Sequence, residues 1–362
     1  MQTSILSVAP RGYLPDLSGG LEITLSSTLE HLIDLPACGH VAAASPRKTL
    51  RFFIAKLKRK LFGVYRGQHH IGRHIVHTDP WHPLELTKLS EQLKPALIVC
   101  HVSGDDEIIN SVAKLDLPTI FYIHGCNISS KLLAALSMKH RRFVCESRFI
   151  SDLASQRLEE YVEIIKPLID PDSYRVSQRG QEILVVNPHP IKGGYKVVEI
   201  ARQMPNRQFL VIGGWSHTAN DPQVLEVERQ LSQLENVHRV AHMADIRKAF
   251  RRARCLLMPC LVEEAYGRTA AEALIAGIPV LASNRGALPE TVGTGGFTLD
   301  PDAPLTDWVA QLETFFSDDE AYNDLVEKAL DQALAADRQI DYIKGQLNRL
   351  AQELITAGEV HA

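Results

Sequence analysis

The sequence predicts an α/β protein built from two doubly wound parallel sheets, and three observations predict it. Short apolar runs of strand length alternate with amphipathic helical stretches along most of the chain, the pattern left by βαβ units. The alternation occurs twice, divided by a polar segment, "IDPDSYRVSQRGQ" (169–181), that reads as a linker. A length of 362 residues exceeds what most single cores accommodate, so two domains are expected.

Taken in order, the first half offers the strands "TSILSVA" (3–9), "HVAAAS" (40–45), "HIVHT" (74–78), "ALIVC" (96–100), "TIFYIH" (119–124), "RFVCE" (142–146) and "VEIIKPL" (162–168). The second half repeats the scheme with "QEILVVN" (181–187), "RQFLVIGG" (207–214), "VHRVA" (237–241), "CLLMPC" (255–260), "IPVLAS" (278–283) and "GFTLD" (296–300). Beyond Asp300 the strands stop, and the segment from about Asp307 to Gly358 has helical periodicity, with Ile343, Leu347, Leu350 and Leu354 on one stripe. That stripe has to be buried, and a return of the terminal helix to the first domain would bury it. The expected division is residues 1–170, residues 171–335, and a C-terminal helix within 336–362 that crosses back to the first domain. Two such sheets facing each other would set the carboxyl ends of their strands, where ligands bind, on the walls of a cleft.

Composition narrows the class of function. The chain is 45% apolar and 23% charged with a formal charge of −4, an ordinary globular balance that points away from nucleic acid. No run of 18 apolar residues is present, so no membrane-spanning helix is predicted, and "MQTSILSVAP" lacks the basic start of a signal peptide. Cysteines at 38, 100, 126, 145, 255 and 260 form no CxxC pair and no zinc-ligand spacing. Most sit in strand-like runs and read as reduced core thiols. A cytoplasmic enzyme is the resulting expectation.

The stretch "CLVEEAYGRTAAEALIAGIPVLAS" (260–283) carries the most chemistry. "CLLMPC" reads as a buried strand, which makes "LVEEAYG" the loop at its carboxyl end and "RTAAEALIA" a helix beginning near Gly267. Backbone amides of Tyr266, Gly267, Arg268 and Thr269 then form a helix N-terminus suited to a phosphate. Glu272, one turn into the helix, is placed to hold a hydroxyl pair such as a ribose, while Glu264 in the loop contacts another part of the same ligand. A nucleotide-sugar site fits this arrangement. Spacing alone fits equally a first-turn acid facing the helix dipole beside a solvated acidic loop.

The stretch resembles the signature of glycosyltransferase group 1, the family-4 retaining enzymes of the GT-B fold. Glu264 and Glu272 stand at the family's E-x7-E spacing with Ala-Tyr-Gly between them, followed by Gly277-Ile-Pro279-Val280 and Ala282-Ser283, and "RGALPETVG" (285–293) is similar to the family's next block. The resemblance implies a GT-B architecture and a nucleotide-diphosphate sugar donor, with UDP or GDP as the expected nucleotide. It implies that Glu272 holds the ribose and that Glu264 contacts the transferred sugar. It further assigns a glycine loop to Gly19 and Gly20 in "PDLSGGLE", a cleft-lining histidine to His124, and a phosphate-binding lysine to Lys192, in "VVNPHPIKGG". One departure stands out: Asn187 occupies the position at which the family has an arginine. His189, Arg268 or Arg285 would then supply the second cation, and Arg268 is favoured because it adjoins the expected phosphate site. No metal and no cofactor are expected. Both "DPD" sequences, 170–172 and 300–302, read as turns rather than metal motifs.

Charge is unevenly spread. From Leu35 to Thr78 there is no Asp or Glu, and residues 47–73 carry nine Arg and Lys with Leu50, Phe53, Ile54, Leu57 and Leu61 at helical spacing. Such a basic amphipathic stretch is read as a contact with an anionic membrane surface at the inner face, as a guide for an anionic acceptor, or as an ordinary surface helix. The whole reads as a retaining, metal-independent glycosyltransferase acting on a lipid-linked or glycan acceptor. A sugar-nucleotide epimerase on the same scaffold and a non-catalytic nucleotide-sugar-binding protein are the alternatives.

Overall fold

The computed structural model of the protein describes residues 3–14, 19–32, 37–44, 53–54, 57, 60–61, 67–79, 86–104, 106–214, 220–240, 243 and 245–359. The chain divides into two compact units, one of residues 1–168 with 340–362 and one of residues 169–339.

The first unit is organised by eight strands: β1 (Thr3–Val8), β2 (Ala37–Ala44), β3 (Gly67–Ile71), β4 (His74–Asp79), β5 (Leu97–Val102), β6 (Thr119–Ile123), β7 (Arg141–Cys145) and β8 (Glu163–Ile164). They form one sheet in the order β3-β4-β2-β1-β5-β6-β7-β8. All neighbours are parallel except β3 and β4. β5 and β6 are buried at every residue, which explains why their sequences are continuously apolar instead of alternating. The order reverses between β1 and β5. Helix α1 (Gly20–Leu32) follows β1 and packs Leu25, Leu29 and Leu32 into the core with Ile5, Val99, Ile120 and Tyr122. Ile343, Leu347, Leu350 and Leu354 of the C-terminal helix (Ile340–Glu359) enter the same core, each at most 2% exposed. Full burial of such side chains contributes roughly 1.5–3 kcal/mol apiece, enough to hold the helix on this unit.

Two expectations for this unit need correction. "VEIIKPL" supplies only the two residues of β8, because Pro167 has no N–H to continue a ladder. The basic stretch is not one helix to residue 73: Gly67–Ile71 is a strand that turns at Gly72 and pairs antiparallel with β4. Upstream, Phe53, Ile54, Leu57, Lys60 and Leu61 are helical with exposed side chains, while Leu50 and most of the basic residues lie outside the described residues.

The second unit contains β9 (Glu182–Val186), β10 (Phe209–Ile212), β11 (Val237–Val240), β12 (Ala253–Met258), β13 (Val280–Ser283) and β14 (Gly296–Leu299). All pairs are parallel, in the order β11-β10-β9-β12-β13-β14. This is the doubly wound dinucleotide-binding order, and its switch point lies between β9 and β12. Helices α2 (Gly194–Gln203), α3 (Arg268–Ile275) and α4 (Leu305–Ser317) follow β9, β12 and β14. Val197, Val198 and Ala201 pack on one face of the sheet with Trp308 and Phe315, and Ala270, Ala273 and Leu274 on the other. Each "DPD" forms a turn in which the first aspartate accepts from a backbone N–H: Asp170 from Asp172 at 3.1 Å and Asp300 from Asp302 at 2.8 Å. All six cysteines are thiols, four of them buried. No helix among the described residues is long and apolar enough to cross a membrane.

Candidate active site

Ligands in sheets of this kind bind beyond the carboxyl ends of the strands at the switch point. In the second unit that place is formed by the loops after β9 and β12. β9 is followed by Asn187, whose φ of 58° turns the chain sharply. Its N–H donates to the Ile212 carbonyl at 2.9 Å, and its carboxamide lies so close to Gly214 that a Cβ there would collide with it. His189 then caps a short turn through Lys192, its ring nitrogen accepting from the Ile191 N–H at 3.3 Å. Gly193 follows at φ 82°, where any side chain would strike the Pro259 carbonyl. This close approach joins the two loops, and the Leu261 N–H donates to the Ile191 carbonyl at 3.0 Å.

Lys192 and Glu264 meet as a direct ion pair at this junction, both side chains less than a fifth exposed. The backbone of Glu264 is fixed from the far side: it bridges to Gly286, and its carbonyl accepts from the Ala287 N–H at 2.8 Å. Gly286 sits at φ 59°, and a Cβ on it would run into the Glu264 backbone. Cys260 beneath donates its S–H to the Glu264 carboxylate at 3.5 Å, and burial raises its thiol far above the ordinary range.

Helix α3 opens at Gly267, φ 82°. Tyr266 contributes only backbone here, since its ring is buried in the core, and Thr269 lies half-buried in the first turn. Arg268 and Glu272 pair across one helical turn, Nε to Oε1 at 2.8 Å, with both side chains close to nine-tenths covered. The Tyr174 hydroxyl completes the cluster. Burial raises the Glu272 carboxyl, with Arg268 and Tyr174 pulling the other way, and burial together with the Glu272 charge raises the Tyr174 phenol. Arg268, expected to replace the missing arginine on phosphate, thus has its Nε directed at Glu272.

In the first unit Gly19 and Gly20 stand after β1, at the start of α1, and His124 follows β6. The His124 ring is 3% exposed and both its nitrogens are engaged. Nδ1 lies 2.7 Å from Glu146 Oε1, and Nε2 lies 2.7 Å from Nδ1 of His101. As a carboxylate Glu146 can only accept, so Nδ1 of His124 carries a proton. With His124 neutral, its Nε2 accepts from His101. His101 is fully buried and stacked on His124 at 5.0 Å between ring centres, and its other nitrogen has no partner. Burial, reinforced by His124, holds its pKa well below the ordinary histidine value. An orientation of His124 toward a ligand would require it to leave His101.

Glu146, His101 and Tyr174 escape sequence reading in different ways. Glu146 follows β7 just as His124 follows the adjacent β6, a coincidence visible only once strand order is known. Tyr174 lies in the polar linker, where nothing local signals its contact with α3. Among the described residues no cluster of His, Cys, Asp and Glu has metal-site geometry.

Residues 190–332 match the family model of the glycosyl transferases group 1. No curated protein sequence matches the chain significantly. Among solved structures, sucrose-phosphate synthase (tll1590) from Thermosynechococcus elongatus superposes with a TM-score of 0.75 at 15% identity, covering 98% of this chain and 100% of that one. Anabaena Alr3699/HepE, in complex with UDP and glucose, gives 0.74 at 18% identity over 97% and 100% of the two chains. The catalytic domain of Starch Synthase IV from Arabidopsis thaliana, bound to ADP and acarbose, gives 0.68 at 13% over 98% and 99%. At these identities the likeness establishes a common fold, that of GT-B glycosyltransferases.

Proposed function

We propose that this chain, a glycosyl transferases group 1 member by its segment 190–332, moves a sugar from a nucleotide-diphosphate donor to an acceptor with retention of configuration and without a metal. The observation that carries the reading is the placement of the Lys192–Glu264 pair on the loops after β9 and β12, and of the Arg268–Glu272 pair on the helix that follows the second of them, at the switch point of the second sheet. Glu272 holds the ribose hydroxyls and Glu264 the hydroxyls of the transferred sugar. The Lys192 ammonium neutralises the diphosphate as it leaves, a contribution of a few kcal/mol in a water-poor site. Backbone amides at the start of α3 share that anion. The bond from the anomeric carbon to the diphosphate breaks, the acceptor hydroxyl attacks from the same face, and its proton passes to the departing phosphate oxygen. HepE and Starch Synthase IV, solved with UDP and ADP, support a nucleoside-diphosphate donor, with UDP or GDP as the expected nucleotide.

A thermal-shift panel of UDP-, GDP-, ADP- and TDP-sugars tests the reading, because a ligand at about 100 times its Kd stabilises the fold by about 2.7 kcal/mol. A chain stabilised by none of them has no such donor site. Transfer should persist in EDTA, and its loss with recovery on adding a divalent ion would count against the metal-free site. Conversion of donor to an epimer without acceptor would instead identify an epimerase, and binding with neither transfer nor slow hydrolysis would identify a non-catalytic binder.

A second reading, peripheral attachment to an anionic membrane at its inner face, is favoured by Phe53, Ile54, Leu57 and Leu61, helical and 43–61% exposed in a segment without acidic residues. Co-sedimentation with phosphatidylserine vesicles at low salt checks it, and absence of binding there removes it.

A further inference from the structure

The second unit lacks the arginine that the group 1 pattern places at Asn187, and the structure shows why no neighbouring group at that position compensates. Asn187 is locked in a left-handed turn against Gly214, and its carboxamide carries no charge. Other cations on this edge of the sheet are already engaged. Arg268 is closed against Glu272, Lys192 is paired with Glu264, and Lys196 sits on the Pro301 carbonyl and over the Trp308 ring at 5.2 Å. The His189 ring caps its own turn.

Arg285 differs from all of these. It lies two residues beyond β13, and the next two residues are the ones clamped to the Glu264 backbone. Its Nε is buried without a hydrogen-bond partner. Its nearest acid is Asp302, 3.7 Å from a terminal nitrogen and itself 86% exposed, a contact of the kind that contributes little. An unpartnered guanidinium Nε is costly to keep unless a ligand satisfies it, and the guanidinium fork matches two phosphate oxygens at once.

We propose that Arg285 supplies the second cation for the donor's diphosphate, in place of the arginine absent at Asn187. The inference rests on the nucleotide-sugar reading of this site. A side-chain rotation away from Asp302 is all it asks of the protein, because the backbone after Arg285 is already anchored beside Glu264 and the Asn284 N–H before it is held by the Leu299 carbonyl.

Titration calorimetry of the full chain with UDP and UMP, or with the corresponding GDP and ADP pairs if UDP gives no heat, tests it. Arg285→Ala should weaken binding of the diphosphate about tenfold or more, the scale of a lost charge-assisted pair, while changing the monophosphate much less. Arg285→Gln, which keeps the shape, should behave alike and serves if the alanine variant folds poorly. Asp302→Ala should leave both affinities unchanged. Adding Asn187→Arg to Arg285→Ala should recover part of the loss. Wild-type diphosphate affinity in Arg285→Gln, alongside weakened binding in Lys192→Ala, overturns the assignment and leaves the donor site standing. Equal losses in Asp302→Ala and Arg285→Ala also overturn it, by showing that Arg285 acts only as an anchor for the 300–302 turn. If wild type binds no nucleoside diphosphate, the donor reading itself fails, and this assignment with it.

Discussion

Replacing Glu272 with glutamine separates what the Arg268–Glu272 pair does for stability from what it does for a ligand. The change preserves shape and removes one charge. Because the two side chains are only 12% and 11% exposed, the remaining guanidinium would be left covered and would lose the Glu272 charge, and breaking a buried pair in this way costs about 3–5 kcal/mol. The glutamine carbonyl still accepts from the Arg268 Nε, which places the loss near about 3 kcal/mol. For a unit of this size each kcal/mol lowers the melting temperature by roughly 2–4 °C, so a fall of about 6–12 °C is expected. The double variant Arg268→Met/Glu272→Leu replaces the pair with apolar groups of similar volume and should recover most of that loss, since such replacements are often neutral or better. Calorimetric melting with and without UDP reads both quantities. Ligand stabilisation should be reduced in both variants if Glu272 holds the ribose. A Glu272→Gln transition within about 2 °C of wild type would refute the argument from a closed pair. UDP stabilisation of the double variant equal to that of wild type would remove Glu272 from the ribose.

Lys192→Ala should lower kcat by about 10²–10³, the scale of a lost charge at a developing anion. Steady-state kinetics with a saturating donor decides it, and unchanged turnover would argue against the whole phosphate assignment. Glu146→Gln should release His124 from a single tautomer, at a cost of about 1–3 kcal/mol for an imperfectly paired buried group. Ring-nitrogen NMR of His124 reads the tautomer directly, and an unchanged spectrum would sink the idea that Glu146 sets it. Burial pushes the pKa values of His40, His74 and His101 down, in His101 with help from His124. An unfolded histidine titrates near about 6.5, so below that pH the unfolded chain binds more protons than the folded one. Stability should be complete above that value and decline as the pH falls toward the lower folded-state values. Denaturant unfolding at neutral and mildly acidic pH checks this, and equal stability at both contradicts it.

Most of the fold was legible because parallel strands covered on both faces have to be continuously apolar, as "ALIVC" and "TIFYIH" are. The stripe from Ile343 to Leu354 was equally legible as a buried helix face. The basic segment misled because its helical spacing upstream of Leu61 was extended through Gly67–Ile71. The turn at Gly72, φ 53°, with alternating residues on both sides, is a hairpin signal that helical periodicity hid.

In the site, Lys192 and Glu264 could be read as members of one cluster but not as partners of each other. Their contact depends on how closely Gly193 brings the first loop to Pro259, which is a tertiary fact. Arg268 is the opposite case. Its spacing of four from Glu272 is the i,i+4 relation that places opposite charges side by side on a helix, so this pairing was already legible in the sequence. His124 looked like a ligand-facing residue at a strand end, and only the register of β5, β6 and β7 reveals that His101 and Glu146 flank it.

The return of the C-terminal helix has a consequence for synthesis. Residues 169–339 form a continuous stretch, so the second unit can close its core while still close to the ribosome. The first unit begins earlier yet lacks Ile343, Leu347, Leu350 and Leu354 until the chain has been made through them. Its β1–α1 region, made well before that helix, must wait with part of its apolar surface uncovered, and that interval is where chaperone dependence and aggregation would concentrate.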